Sequence, residues 1–356
     1  MIANPLIKLL LWPFSLVYGI SIGIRNALYE VDLLKSARFG LPIISIGNLS
    51  VGGAGKTPHV EYLINLLQPY INIGVLSRGY NRSSKGFRFV HQDDSALEAG
   101  DEPLMYAKKY QDVVVAVCES RATGIPEMVK RFADLETIIL DDAFQHRSVL
   151  PDINMLLTSF DNLYINDCLL PMGRLREKKS SSERADIIIV TKVPLDLSYE
   201  EAMKIKTQIA PLDYQSVYFT KYRYGNPYSF YETNRTLDLK KIRAVILVTA
   251  IANTSYLMSY LDQFNADIKS LAYEDHRYFT EYDIKNIIDT YKSVSDEQGK
   301  IILTTEKDAT RLAIHYNTLI KERINVFVLP ITVDFLFNQK EDFNKEIKDR
   351  LLEIDK

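Results

Sequence analysis

At 356 residues, 47% of them hydrophobic and 25% charged, the chain is long enough for two domains and apolar enough to bury a core in each. A net charge of -3 argues against a nucleic-acid partner. The two cysteines, Cys118 and Cys168, read as free thiols of a reducing compartment and not as a disulfide framework.

The first element is basic and apolar at once. Residues 1–40 hold Lys8, Arg25, Lys35 and Arg38 against Glu30 and Asp32, while LLLWPFSLVYGISIGI (9–24) carries no charge. A helix of that length spans about 24 Å. This falls short of a hydrocarbon core of about 30 Å, and Pro13, Gly19 and Gly23 weaken it as a span. No small-residue cleavage site follows, which excludes a secretory signal. The expectation is a helix lying in the membrane interface, with Trp12, Phe14 and Tyr18 at headgroup depth and the cations against anionic lipid. The competing reading is a helix packed on the protein's own core.

From residue 41 the pattern becomes α/β. The short run PIISIG (42–47) ends at a glycine cluster, and TPHVEYLINLL (57–67) then shows apolar residues at helical spacing. Near-continuous apolar runs follow at 71–77, 112–117, 137–140, 153–158 and 185–191, as expected of strands buried on both faces of a parallel sheet. Helical stretches between them supply the crossovers. The tyrosine-rich stretch 215–242 reads as strands or a hairpin joining two lobes, and a second α/β alternation occupies 243–356, closed by an amphipathic helix. The expected domains are therefore an N-terminal membrane helix (1–40), a P-loop-type parallel sheet (41–214), a linker (215–242) and a smaller α/β lobe (243–356).

The glycine cluster is SVGGAGKT, Ser50 to Thr57. It follows a strand and opens a helix, which is the context a phosphate-binding loop requires, although Ser50 stands where the first glycine is usual. Gly52, Gly53 and Gly55 let the backbone of Ser50, Val51, Gly52, Gly53, Ala54 and Gly55 turn its N–H groups inward as an anion cradle. Lys56 then reaches the β- and γ-phosphates, and Thr57 offers its hydroxyl to Mg2+. Asp141 and Asp142, at the end of the 137–140 run, lie where ligands bind in an open α/β sheet, and they are the carboxylates expected at the metal.

Several motifs together give the chain a family resemblance. GNLSVGGAGKTP (47–58), LSRGY (76–80), GDEP (100–103), LDDAFQHR (140–147), REK (176–178), VTK (190–192), DH (275–276) and TEKD (305–308) follow one another in the order seen in the tetraacyldisaccharide 4'-kinase family. That is the lipid A 4'-kinase of Gram-negative bacteria. Ala143 and Arg277 depart from its pattern, standing where glycine and a second histidine are common. The resemblance implies an ATP-dependent, Mg2+-requiring kinase whose acceptor is an acylated glucosamine disaccharide, working at the cytoplasmic face of the bacterial inner membrane. No obligate protein partner is evident.

The resemblance also assigns residues. Asp101 is implied as the base that takes the acceptor's proton, paired with His276 across the lobes. Arg121, which opens a helix after the 112–117 strand, is a further catalytic candidate by the chemistry of its own side chain. Arginine forks suit phosphate oxygens, which places Arg176 with Glu177, Gln145, His146, Asn48 and Glu102 among the candidates lining the acceptor pocket. The rival reading is a P-loop GTPase, a switch or metallochaperone. Guanine readers carry an aspartate two places after the lysine of a T-K pair, and here Pro194 follows Thr191-Lys192 at that place. A non-enzymatic membrane adaptor is the third reading. The intact Lys56, Thr57 and aspartate pair weigh against it.

Overall fold

In the computed structural model, residues 5–275, 277–295 and 299–354 are described. The chain opens with helix α1 (Pro5–Glu30), then runs β1 (Ile43–Asn48), α2 (Lys56–Leu67), β2 (Ile73–Ser77), β3 (Arg88–Phe89), α3 (Ala96–Ala99), α4 (Asp101–Lys109), β4 (Val114–Val117), α5 (Arg121–Arg131), β5 (Thr137–Asp141), β6 (Ile153–Ser159), β7 (Ile187–Thr191), α6 (Tyr199–Ile209) and β8 (Ser216–Tyr224). It continues through β9 (Tyr228–Ser229), β10 (Ala244–Thr249), α7 (Ser255–Leu261), β11 (Asp267–Ala272), α8 (Glu281–Ser293), β12 (Lys300–Thr305), α9 (Glu306–Leu312), α10 (Tyr316–Lys321), β13 (Val326–Leu329), β14 (Ile331–Phe335) and α11 (Lys340–Ile354).

Two sheets organise these elements. The larger has the order β14-β8-β7-β6-β1-β5-β2-β4-β3, parallel except for its two edge strands. Every residue of β1, β2, β5 and β7 is buried, which is why those strands read as unbroken apolar runs. The order reverses at β1, with β5 on one side and β6 on the other. That reversal opens a crevice at the carboxyl ends of the strands, where the glycine loop and Asp141 both sit. The smaller sheet, β11-β10-β12-β13-β9, is parallel except for β9.

The lobes do not divide at the expected boundaries. Strand β8, expected in the linker, pairs in parallel with β7 of the larger sheet. Strand β14 returns from the smaller lobe to pair antiparallel with β8. Helix α11 then buries Phe343, Ile347 and Leu351 in the core that also holds Val60, Leu63 and Ile64 of α2. The smaller lobe is thus an insertion between β8 and β14, entered and left through two adjacent strands, and the C-terminal helix belongs to the larger lobe. Amphipathic periodicity in α11 shows that it packs, not what it packs against.

Helix α1 is longer than its uncharged run: it continues through Pro13 for 26 residues. The stretch Leu6–Glu30 is long and apolar enough, by length and composition, to cross a membrane, so the expected shortfall in length does not hold. From Ser15 onward it is fastened to the body. Ser15 donates to the Leu169 carbonyl (3.0 Å), Tyr18 to the Arg176 carbonyl (2.9 Å), and Arg25 to Glu177 Oε1 (2.6 Å). Arg147 donates to the Asn26 carbonyl (3.0 Å). Leu9, Leu10, Trp12 and Phe14 stay more than half exposed. This is the opposite of the core-packed reading.

Gly47, inside β1, is where the sheet meets the loop after β5. A Cβ added there would come within 2.6 Å of the Phe144 Cβ and 2.7 Å of its backbone nitrogen. Gly47→Ala is therefore expected to destabilise the fold by about 1–3 kcal/mol through overpacking. Gly40→Ala, with nothing within 4 Å of the added methyl, serves as the neutral control. Urea unfolding of the two variants checks this, and equal midpoints would contradict it.

Candidate functional site

The glycine loop keeps its shape by backbone conformation and by bracing from behind. Gly55 caps α2 in the left-handed region (φ 86°), and a Cβ there would meet the Tyr222 hydroxyl at 2.7 Å. Lys192 Nζ donates to the Gly53 carbonyl (2.6 Å) and Thr191 to the Ala54 carbonyl (2.8 Å). The Val51 N–H donates to the Arg174 carbonyl (2.8 Å), tying the loop to the 170s segment. Asn48, almost fully buried, donates to the Ser50 carbonyl (2.5 Å). Its side-chain oxygen accepts from Lys56 (3.1 Å) and Arg176 (2.6 Å).

The two aspartates behave differently. Asp142, in the left-handed region at φ 48°, faces the cleft; Lys56 Nζ is 3.5 Å and Arg176 Nη2 3.0 Å from its Oδ1. Burial works to raise its pKa, but these cations outweigh burial and hold the carboxyl below the usual range. Asp141 is fully buried. Its Oδ2 accepts from the Tyr106 hydroxyl (3.3 Å), and its Oδ1 has no partner. Burial first, then the nearby Glu102 charge, pushes it up to about 7.

That partnerless oxygen is the structural argument for a cation. A buried carboxylate oxygen left without a donor is costly unless a ligand completes it. Thr57, the second residue of α2, donates its hydroxyl to Glu102 Oε1 at 3.0 Å. Among the described residues no three carboxylate, imidazole or thiol groups converge into a self-sufficient metal cage. That suits Mg2+, which keeps waters and uses one or two carboxylates plus substrate phosphates. Thr57 and Asp141 fit the ion, and Asp142 is better placed as the partner of Lys56 and Arg176.

Two further buried atoms at the site lack partners: Gln145 Oε1 and Arg176 Nε. The Gln145 amide donates to the Asn48 carbonyl (3.0 Å). Burial and the neighbouring Arg121 lower His146 to about 4, so near neutral pH it is an uncharged imidazole.

Two residues expected in the cleft are elsewhere. Arg121, expected at developing charge, is wholly buried and donates to the Cys118 carbonyl (2.7 Å) and the Asp141 carbonyl (2.6 Å). It holds the end of β5 from behind. Glu177, expected at the substrate, is wholly buried between Arg25 of α1 and Arg184, each at 2.6 Å. It anchors the N-terminal helix next to Arg176. In both cases a charged residue beside the site backs the residue that faces the cleft.

A cleft of about 410 Å³ separates the lobes, bounded by Lys56, Thr57 and Arg176 on one side and by Tyr256, Glu306 and Lys307 on the other. Lys307 donates to Glu102 Oε1 (3.0 Å), so a cation of the smaller lobe reaches the acidic rim of the larger one. The TEKD motif marks the segment, but nothing in its spacing shows that Lys307 crosses the cleft. Asp101 lies just behind the cleft wall, almost fully buried, with its Oδ1 accepting from the Glu102 N–H (3.0 Å). His276 lies outside the described residues. The unusual Arg277 beside it is paired with Asp283 (3.1 Å) in the first turn of α8.

Comparison with known proteins gives a consistent result. The family model described as Tetraacyldisaccharide-1-P 4'-kinase matches residues 7–352. A tetraacyldisaccharide 4'-kinase of Phocaeicola vulgatus is 41% identical over 346 residues, covering 95% of this chain and 94% of the relative. One from Bacteroides thetaiotaomicron is 40% identical over 349 residues, covering 95% and 91%. The crystal structure of LpxK from Aquifex aeolicus in complex with ATP superposes with a TM-score of 0.74 at 30% identity, covering 97% of this chain and 99% of that one.

The different surroundings of the two aspartates separate them experimentally. Asp141→Asn is expected to raise the Mg2+ concentration needed for half-maximal nucleotide binding by on the order of 10-fold. Asp142→Asn is expected to leave that midpoint near its original value. Titration of Mg2+ against ATP affinity measures both, and an unmoved midpoint in Asp141→Asn would remove Asp141 from the metal site.

Proposed function

The chain belongs to the tetraacyldisaccharide-1-P 4'-kinase family, and from that premise we propose how its cleft performs the family's reaction. The γ-phosphoryl group of ATP passes to the 4'-hydroxyl of a tetraacylated glucosamine disaccharide, a step of lipid A biosynthesis that yields lipid IVA. One observation carries the assignment of residues: the glycine loop, its lysine and the acidic strand end meet on one wall of a cleft whose other wall comes from the smaller lobe.

Phosphoryl transfer asks for positioning and charge neutralisation more than for covalent chemistry. The inward N–H groups of Ser50 to Gly55 and the Lys56 ammonium hold the β- and γ-phosphates. Thr57 and Asp141 would hold Mg2+, which when bound neutralises phosphate charge. Arg176, already within reach of Asp142 and Asn48, offers its remaining donors to the transferring group. Gln145, His146 and Glu102 face the acceptor side. Asp101 takes the acceptor's proton, with His276 as the partner implied by family membership. Asn48, Arg121 and Glu177 act from behind by holding the loop, the β5 end and the Arg176 segment. The GTPase reading gains no support, because Lys192 is committed to the Gly53 carbonyl and Pro194 offers guanine no carboxylate.

The acceptor's acyl chains reside in a bilayer, so the enzyme must come to it. We read α1 as monotopic, seated on the cytoplasmic face of the inner membrane. Ser15 fastens it to the body, and the stretch 5–14 that precedes this anchor carries exposed apolar side chains. That is about 15 Å of helix, half a hydrocarbon core. The exposed Leu9, Leu10, Trp12 and Phe14 would enter the headgroup boundary, with Lys8 against anionic lipid.

Lys56→Ala is expected to lower turnover by at least about 10²-fold with an unchanged circular dichroism spectrum, since Lys56 serves charge at the helix start and not packing. Near-parental turnover in a folded variant would remove the phosphate-loop reading. For the membrane, Leu10→Glu combined with Phe14→Glu should abolish flotation with anionic vesicles while leaving turnover on detergent-dispersed substrate. Undiminished flotation would place the lipid contact elsewhere.

A further inference from the structure

The two lobes touch most closely where α4 and α9 run antiparallel, and among the described residues four ion pairs join the helices, Lys307 reaching both Glu102 and Asp101. Lys109, last in α4, pairs with Glu306, first in α9, at 3.0 Å. Lys307 pairs with Glu102 at 3.0 Å. At the inner end Arg311 donates from both Nε and Nη2 to Asp101 Oδ2. Only this last pair is almost completely withdrawn from water: Arg311 is 1% and Asp101 3% exposed.

Arg311 is itself fixed before it reaches Asp101. Its Nη1 donates to Asp308 Oδ1 (3.0 Å) and to the Ala250 carbonyl at the end of β10 (2.9 Å). Asp308 in turn accepts from the Ala250 N–H (3.1 Å) and from the Thr305 hydroxyl (2.8 Å). The guanidinium therefore carries the geometry of the smaller lobe's strand ends onto a carboxylate of the larger lobe. A planar fork held at three donors defines the orientation of the group it binds far better than an ammonium does. Among the described residues, the other charged and titratable groups facing Asp101 include Lys307, 3.9 Å from its Oδ2, the adjacent Glu102, and the Tyr278 phenol, which burial and the Asp101 charge push up to about 12.

We propose that Arg311, supplied by the smaller lobe, is a positioning residue for Asp101: it fixes the plane and the charge of the carboxylate, so the proton acceptor is assembled only where the two lobes dock. The inference rests on the reading of Asp101 as that acceptor. In the reaction the 4'-oxygen bonds to the γ-phosphorus as the bond to the ADP oxygen breaks, and the hydroxyl proton passes to Asp101. Arg311 touches neither substrate. It acts by keeping Asp101 ionised and aimed.

The test compares Arg311→Met, Arg311→Lys, Lys109→Met and Asp101→Ala in the full-length enzyme, with turnover referred to the nucleotide-binding fraction. Arg311→Met is expected to lower kcat by roughly 10²-fold, the cost of a misplaced catalytic group, with the KM for ATP unchanged. Its acid limb should move to higher pH by about 1–3 units, because a carboxylate that loses an adjacent guanidinium protonates more readily and a proton acceptor must be deprotonated. Arg311→Lys restores charge without the fork, so it should return the acid limb toward the parent while kcat stays reduced. Lys109→Met removes an ion pair between the same two helices without touching Asp101, and it should leave the acid limb in place. If Arg311→Met does not fold, Arg311→Lys decides alone: parental kcat would overturn the proposal. So would a raised kcat in either Arg311 variant, an unmoved acid limb in folded Arg311→Met, or the same shift in Lys109→Met. Near-parental turnover in Asp101→Ala would instead overturn the reading of Asp101 beneath it, whereas a dead Asp101→Ala beside a normal Arg311→Met would overturn only the role of Arg311.

Discussion

A fully buried carboxylate stays charged only where something nearby compensates it, and Asp141 is such a group at the end of β5. Much of the larger lobe is arranged around it and its neighbour. Arg121 is drawn inside the protein to hold the Asp141 carbonyl, while Lys56 and Arg176 converge on Asp142. One oxygen of Asp141 is left for a ligand. The five charged groups gathered here come from the end of β5 and the residue after it, from α2, α5 and the 170s segment, so the site has no rigid form until the parallel sheet has closed around it.

The same need for compensation reaches the N-terminal helix. Arg176 is useful only if its segment is held, and the next residue, Glu177, is the buried anchor on which Arg25 of α1 and Arg184 close. Tyr18 donates to the Arg176 carbonyl itself. The helix that carries the exposed apolar side chains is therefore attached, through two contacts, to the segment that holds Arg176. This gives the polar stripe of α1 (Ser15, Tyr18, Arg25) a reason to exist on an otherwise apolar helix.

Between the lobes the geometry rests on two adjacent strand crossings and one helix pair. Strands β8 and β14 enter and leave the smaller lobe side by side in the larger sheet. The ion pairs between α4 and α9 grow less exposed from Lys109–Glu306 to Arg311–Asp101, so water is excluded most fully at the Asp101 end.

Some of this protein was decided by the sequence alone, because its determinants are local. A strand, a glycine turn and a helix that begins at Lys56 form a phosphate cradle whatever surrounds them, and unbroken apolar runs require a sheet covered on both faces. The uncharged run likewise declared an apolar helix, though not that it would continue through Pro13 to Glu30. Tertiary structure decided what local pattern cannot carry. Strand β8 looks like a linker until β7 and β14 supply its neighbours. Arg121 and Glu177 look like cleft residues until their partners, two backbone carbonyls for the one and two arginines for the other, turn them inward. Arg311 has no motif at all, since its significance lies in a carboxylate 210 positions away. A charged side chain announces its charge in sequence, but which opposite charge it meets is set by the packing of elements, because burial makes an unpaired choice too costly to keep.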